Sequence, residues 1–258
     1  MKRILLLALS AQLLVGSAFS WGNKGHDVTC AIATRHLNKK SQSAVTSLLD
    51  GKSLIYYAAW MDQASNNIQK YLHTKYWHYK NIDADETFDN ARLSPKGDIL
   101  TAIDKQIAIL KDTKATRDEK FLALKFLIHL IGDLHQPLHL GHLSDRGGNT
   151  WKITFFQRDT DLHTAWDSFL VEAIHDWSHT EWAQELDKPN TCDINSVQSG
   201  TPRDWAYESY VIAQQIYQDT PPDSNISYAY ILSWTPVVEK QFLRGGLRLA
   251  KILNDIFK

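Results

Sequence analysis

Apolar positions recur at helical spacing through most of the chain. Ile99, Ile103, Ile107 and Leu110 fall on one face of a helix over 98–111. The same periodicity predicts helices from about His26 to Leu37, over 41–50 with Gly51 as the stop, and over 54–65 with Asp62 near the end. Thr116-Arg117-Asp118-Glu119 has the form of a capping box and opens a long apolar helix. Pro137 lacks a backbone donor and clashes one turn back, so that helix should stop near Gln136. Helical patterns resume at 162–175, 180–186, 203–218 and 236–256. Gly147-Gly148-Asn149 marks a turn, and Trp151–Phe156 is the one strand-like run. The pattern predicts a mainly α fold with at most a short β-hairpin. No low-complexity linker divides the chain, so we expect a single domain over 21–258.

Composition narrows the partners. The 258 residues are 43% hydrophobic, enough for a sizeable core, and the formal net charge is −1. No broad basic field is present to attract nucleic acid, so polyanion binding needs a local site or bound cations. Lys2 and Arg3 precede an apolar run from Ile4 to Val15, and Ala18-Phe19-Ser20 has the small-x-small form of a cleavage site. We expect residues 1–20 to be a removed signal peptide, a secreted or periplasmic protein beginning at Trp21, and a monomer with no remaining membrane anchor. An uncleaved anchor is the alternative, but the run is short for a bilayer. In an exported protein Cys30 and Cys192 can pair, which stabilises by roughly 4–5 kcal/mol on the chain-entropy estimate, or stay as two separate thiols.

The central helix carries the chemistry. His129 and Asp133 are four apart and share a face, about 6 Å apart along the axis. His139 lies just past the Pro137 break and can turn to the same pocket. With 11 histidines and 29 acids, chance gives about one His-x-x-x-acid pair; His129/Asp133 and His163/Asp167 make two. Buried polar groups cost a few kcal/mol unless paired, and a metal would pair these. His26, Asp62 and His78 also sit among apolar or aromatic neighbours. Zinc takes imidazole nitrogen and carboxylate oxygen, and nothing here suggests a thiolate site. His135 points off the His129/Asp133 face, so we expect it to support the site or meet solvent rather than bind metal. Trp60 and Trp166 are expected to wall the pocket.

These residues fall into an order that resembles a known family. The elements are Trp21-Gly22 with Gly25-His26, Ala59-Trp60-Met61-Asp62, and Trp77-His78-Tyr79. The run His129-Leu130-Ile131-Gly132-Asp133-Leu134-His135-Gln136-Pro137-Leu138-His139 follows. Gly147-Gly148-Asn149, Leu162-His163-Thr164-Ala165-Trp166-Asp167 and Gly-Gly-Leu-Arg-Leu-Ala near the end complete the series. The chain resembles the secreted three-zinc, single-strand-specific nucleases, or nuclease/3′-nucleotidases, which are distant relatives of zinc-dependent phospholipase C. The resemblance implies that multi-helix fold and three Zn²⁺ ions. One would sit on Asp62, His78, His129 and Asp133. A second would use the Trp21 amine and carbonyl, His26 and the bridging Asp133. The third would use His139, His163 and Asp167. Asp62 and Asp133 would be catalytic in holding the metal pair, and Tyr79, Asn81 and Asn149 would bind substrate. The plant members imply a disulfide at Cys30, for which Cys192 is the available partner.

The implied activity is hydrolysis of single-stranded DNA and RNA to 5′-nucleotides, with removal of 3′-phosphates from 3′-nucleotides. A metal pair sharing Asp133 can lower the pKa of a water between its ions to about 7, giving a hydroxide that attacks phosphorus in line. Stacking of an unpaired base on Tyr79, about 1–3 kcal/mol, favours single strands. Many relatives carry Arg where this chain has Ser65, and Lys70 is one candidate substitute. Two rival readings are a zinc phospholipase C acting on lipid headgroups and a non-enzymatic metal-binding protein. The first carries Glu at the Asp167 position; the second predicts closed sites, whereas these donor sets leave room for water.

Overall fold

The computed structural model describes residues 21–92 and 94–258; the expected signal segment over 1–20 lies outside them. The fold is mainly α. Helix α1 spans Asn23–Arg35, and α2 spans Lys39–Leu48 behind Asn38, whose side chain accepts from the Ser41 amide. The one helix expected over 54–65 is two, α3 (Leu54–Tyr57) and α4 (Trp60–Asn67). The chain leaves helical geometry at Ala59, with φ −97° and ψ 9°. That turn presents the Ala58 carbonyl to His129, whose Nδ1–H donates to it at 2.7 Å. A 3₁₀ run, Gln69–His78, then carries the aromatic cluster into extended Tyr79.

Helix α5 (Ile99–Lys111) starts at an Asp98/Thr101 capping box, and α6 (Arg117–Leu134) starts at the Thr116/Glu119 box. Each cap satisfies end amides that would otherwise lack partners. Every residue from Ala123 to Gly141 is buried, so the C-terminal half of α6 and the following 3₁₀ turn, Pro137–Leu140, are enclosed by the rest of the chain. Lys80 and Ile82 donate backbone hydrogen bonds to His139 and Gly141 carbonyls, at 2.8 and 2.9 Å. The Tyr79–Asn81 segment is thereby fixed beside the end of α6.

The strand-like run becomes β1 (Lys152–Phe155), antiparallel to β2 (Arg158–Asp161). Phe156 and Gln157 join them, both at positive φ, as a two-residue hairpin turn requires. Helices α7 (Leu162–Thr164) and α8 (Leu170–Ile174) flank a π-helical turn over Ala165–Phe169. Helices α9 (His179–Leu186), α10 (Ile194–Gln198) and α11 (Pro202–Asp219) follow. A third strand, β3 (Asn225–Ile226), pairs parallel with β1, beyond the expected hairpin.

The last helix, α12, runs Tyr228–Ile256 rather than from 236, with Pro236 inside it. Pro236 removes the partner of the Leu232 carbonyl. Leu232 is 75% exposed, so water can take that place. Two hydrophobic clusters fill the interior, and α1 and α12 contribute to both: Cys30 and Leu253 to one, Ile32 and Phe242 to the other. Gly246 permits that close packing, because a Cβ there would lie 2.5 Å from Ile32 side-chain atoms. Among the described residues no helix is long and apolar enough to cross a membrane.

Cys30 and Cys192 are free thiols, so the expected pairing is absent. Cys30 is buried in one cluster, and Cys192 packs part-buried against the other.

Candidate metal centre

The expected ligands converge at the end of α6. Three sets of donors each bring one atom per residue within 4.8 Å of the others: His26, His129 and Asp133; Asp62, His78 and His129; His139, His163 and Asp167. All are buried. α1 supplies His26, α4 supplies Asp62, the 3₁₀ run supplies His78, and α6 supplies His129 and Asp133. The turn after Pro137 carries His139, while α7 and the π turn carry His163 and Asp167. Gly132 admits His26 to this space; a Cβ there would stand 2.5 Å from its Nδ1.

Asp133 is shared. Its Oδ1 lies 3.3 Å from His26 Nε2, and its Oδ2 lies 2.9 Å from His78 Nδ1 and 3.2 Å from His129 Nε2. Asp62 Oδ1 is 3.4 Å from His129 Nε2 and 3.6 Å from His78 Nδ1. Ligands about 2.0–2.2 Å from a tetrahedral zinc sit about 3.3–3.6 Å from one another, close to this spacing. In the third set, His163 Nε2 lies 3.0 Å and His139 Nε2 lies 4.0 Å from Asp167 oxygens. His139 Nε2 is buried with no hydrogen-bond partner, the state of a nitrogen left to face an ion. Donors of nitrogen and oxygen type, at this spacing, fit divalent metal.

Backbone carbonyls set the tautomers. His129, His139 and His163 donate Nδ1–H to the carbonyls of Ala58, His78 and Gly147, at 2.7, 2.7 and 2.6 Å. Each Nε2 is thereby turned toward the cluster, the orientation that metal-binding imidazoles require. His78 is reversed: its Nδ1 faces the carboxylates, and its Nε2 lies 3.3 Å from Ser65 Oγ. The charges reinforce one another. Burial opposes ionisation of Asp133, but His129 and His139 outweigh it and hold the carboxyl well below its ordinary range. Burial likewise opposes a charged His129, and Asp133 and Asp62 raise it well above the ordinary histidine value. His163 is buried too, yet Asp167 lifts it to about 9.

Sequence reasoning missed Gln136. Its amide donates to Asp167 Oδ1, and its Oε1 accepts from the Leu138 amide at 2.6 Å. Nothing in its spacing marks it, because its partner comes from a distant element. His135 stands apart from the metal sets as expected. Its Nδ1–H donates to the Ile131 carbonyl at 2.8 Å, and its Nε2 accepts from Arg248 at 3.0 Å. Burial, then the Arg248 charge, keeps it neutral.

A cleft of about 510 Å³ opens onto Asp62, His78, His139 and His163, with Tyr79, Asn81 and Asn149 on its wall. Asn81 Oδ1 is buried without a partner. Trp21 is buried against Phe242, and the Gly22 amide donates to the Asp167 carbonyl at 2.7 Å, which draws the N-terminal segment to the centre. Trp60 and Trp166 do not wall this cleft, contrary to expectation: Trp60 packs on Tyr71 and Phe126, and Trp166 on Trp234. Lys70 lies over Tyr71 rather than in the cleft, and Lys75 and Arg146 line the wall instead.

The S1/P1 Nuclease family description matches residues 21–258. Endonuclease 4 of Arabidopsis thaliana is 30% identical over 95% of this chain and 91% of its own length. Nuclease S1 of Aspergillus oryzae is 31% identical over 67% of this chain and 62% of its own. Nuclease P1 of Penicillium citrinum is 24% identical, covering 92% and 97%. With its whole described length matched, the chain belongs to the S1/P1 nuclease family.

Proposed function

We propose that this protein is a zinc-dependent phosphodiesterase that hydrolyses single-stranded DNA and RNA to 5′-nucleotides and removes 3′-phosphates. Family membership supports the nuclease part. The observation that carries the metal part is Asp133, whose two oxygens face two different donor sets while a third set meets the same cleft. In this reading Asp62, His78, His129 and Asp133 hold one zinc, and His139, His163 and Asp167 hold another. The Trp21 amine and carbonyl, His26 and the shared Asp133 hold the third. The Trp21 nitrogen becomes an amine only after residues 1–20 are removed, so export and processing complete the centre. A single domain over 21–258, active as a monomer, is consistent with two cores that share α1 and α12.

When bound, zinc ions polarise phosphoryl oxygens and make a water acidic enough to ionise near neutral pH. The chain does the rest. Backbone carbonyls lock three imidazoles with Nε2 inward, and Gln136 holds Asp167 in place. The half-buried Tyr79 offers a ring face on which an unpaired base can stack without sequence readout. The unpartnered Asn81 Oδ1 can accept from a base N–H. Asp at 167, with Tyr79 and Asn81 in the cleft, favours a nucleotide over a lipid headgroup.

The test is an assay of the processed protein on single-stranded DNA, a 3′-mononucleotide and phosphatidylcholine, each with and without chelator. The reading expects chelator-sensitive release of 5′-nucleotides and of inorganic phosphate. Cleavage of phosphatidylcholine alone, or nucleic-acid cleavage indifferent to chelator, would contradict it.

A further inference from the structure

Net charge hides a local concentration of cations beside the cleft. Lys75 and Arg146 line its wall, and Lys96 reaches the same edge through Tyr76. Lys96 Nζ donates to the Tyr76 hydroxyl at 3.0 Å and lies 4.2 Å from that ring centroid, with Lys75 Nζ at 5.2 Å. Among the described residues, none of the three cations has a carboxylate within ion-pair distance. The chain elsewhere pairs many of its cations, as with Arg117–Asp50 and Arg203–Asp89.

Arg146 is also held in an unfavourable backbone conformation. Its φ is +60°, in the left-handed region that non-glycine residues rarely occupy. The surrounding loop fixes it there. Gly147 N donates to the His142 carbonyl at 2.8 Å, and Asn149 Nδ2 donates to the Arg146 carbonyl at 2.8 Å. Gly147 O takes the Nδ1–H of His163, so this loop is tied directly to the metal centre. Strain of this kind persists where the surroundings over-determine it, and it gathers at functional sites.

We propose that Lys75, Lys96 and Arg146 form a cationic rim that binds the phosphodiester backbone of a single strand, next to the nucleotide on Tyr79. The proposal rests on the nuclease reading and extends it from one nucleotide to the flanking strand. It also supplies positive charge at a cleft whose α4 wall offers only Asp62, Ser65 and Asn66. Lysines around a tyrosine suit a backbone of repeated negative charge, because they need no fixed base identity.

Salt dependence separates this role from a structural one. Each phosphate contact on a single strand contributes about 0.7 to the slope of log affinity against log salt. Lys75→Gln, Lys96→Gln and Arg146→Gln should each raise KM for a single-stranded oligonucleotide roughly 3–10-fold at low salt. Each should also lower the salt slope of kcat/KM by about 0.7. The rise should exceed that for a dinucleoside monophosphate, which carries only the scissile phosphate. Arg146→Lys keeps the charge and should keep the slope. Lys114→Gln, exposed beyond the far end of α6, is the control. A single Lys75 or Lys96 variant with the unaltered slope removes that residue from the rim. An unaltered slope in Arg146→Gln, or an equal KM rise on both substrates, overturns the rim itself. If the unaltered protein cleaves neither substrate, the nuclease reading fails independently. Oligonucleotide anisotropy on the same variants then decides the rim, upheld by lost binding and overturned by unchanged binding.

Discussion

Gln136 shows how much of the candidate centre depends on side chains outside the three donor sets. Its amide fixes Asp167, and its carbonyl oxygen closes the turn that presents His139. Partners of metal ligands typically matter by 10–100-fold in affinity or activity. Gln136→Ala should therefore lower zinc affinity and activity by about 10–100-fold while far-UV circular dichroism stays unchanged. Metal titration checks it, and an unaltered affinity would show that Asp167 needs no such support. The nine proposed ligand positions could be read from residue type, spacing and the family resemblance. Gln136, Lys75 and Arg146 could not, because their significance lies in what distant elements bring beside them.

Helix α6 carries both the chemistry and a cost. Lys125 is buried, with Nζ 3.3 Å from the Trp60 ring centroid and 5.0 Å from those of Tyr57 and Phe121. Burial, then the nearby Lys70 charge, pulls its ammonium down to about 8. The ring faces favour the cation and offset part of that penalty. In the window from about 8 to 10.4 the unfolded chain holds this proton and the folded chain does not, so stability rises with pH there. Lys125→Met should stabilise at neutral pH by about 1 kcal/mol, with the gain fading toward pH ~10, by urea unfolding. A gain that does not change with pH would refute the assignment. The limits of α6 were legible because Thr116 and Pro137 are local signals. The break between α3 and α4 was not, since it coincides with a contact from Ala58 to His129, far along the chain. The start of α12 was hidden for a related reason: Pro236 reads as a beginning, and only the exposure of Leu232 lets the helix pass through it.

At the scale of the molecule, the fold closes α1 against α12 and draws Trp21 to the centre by way of Gly22 and Asp167. In the proposed centre the Trp21 amine binds metal, so it tolerates no extension. A processed protein with one residue added before Trp21 should hold less zinc and lose activity at least 10-fold, the scale of losing a group that supports a metal site. Full zinc loading of that variant would remove Trp21 from the ligand set. The mainly α class followed from periodicity alone, while the convergence of α1, α4, α6 and the π turn on neighbouring donor sets emerges only in the folded chain. The free Cys30 and Cys192 show the limit of analogy, since a pairing suggested by relatives depends on positions that two different core clusters keep apart. The most direct test of the whole account is metal content per chain, by elemental analysis of processed protein purified without chelator. The account predicts three zinc ions per chain; one or none, in protein that still cleaves single-stranded DNA, would contradict it.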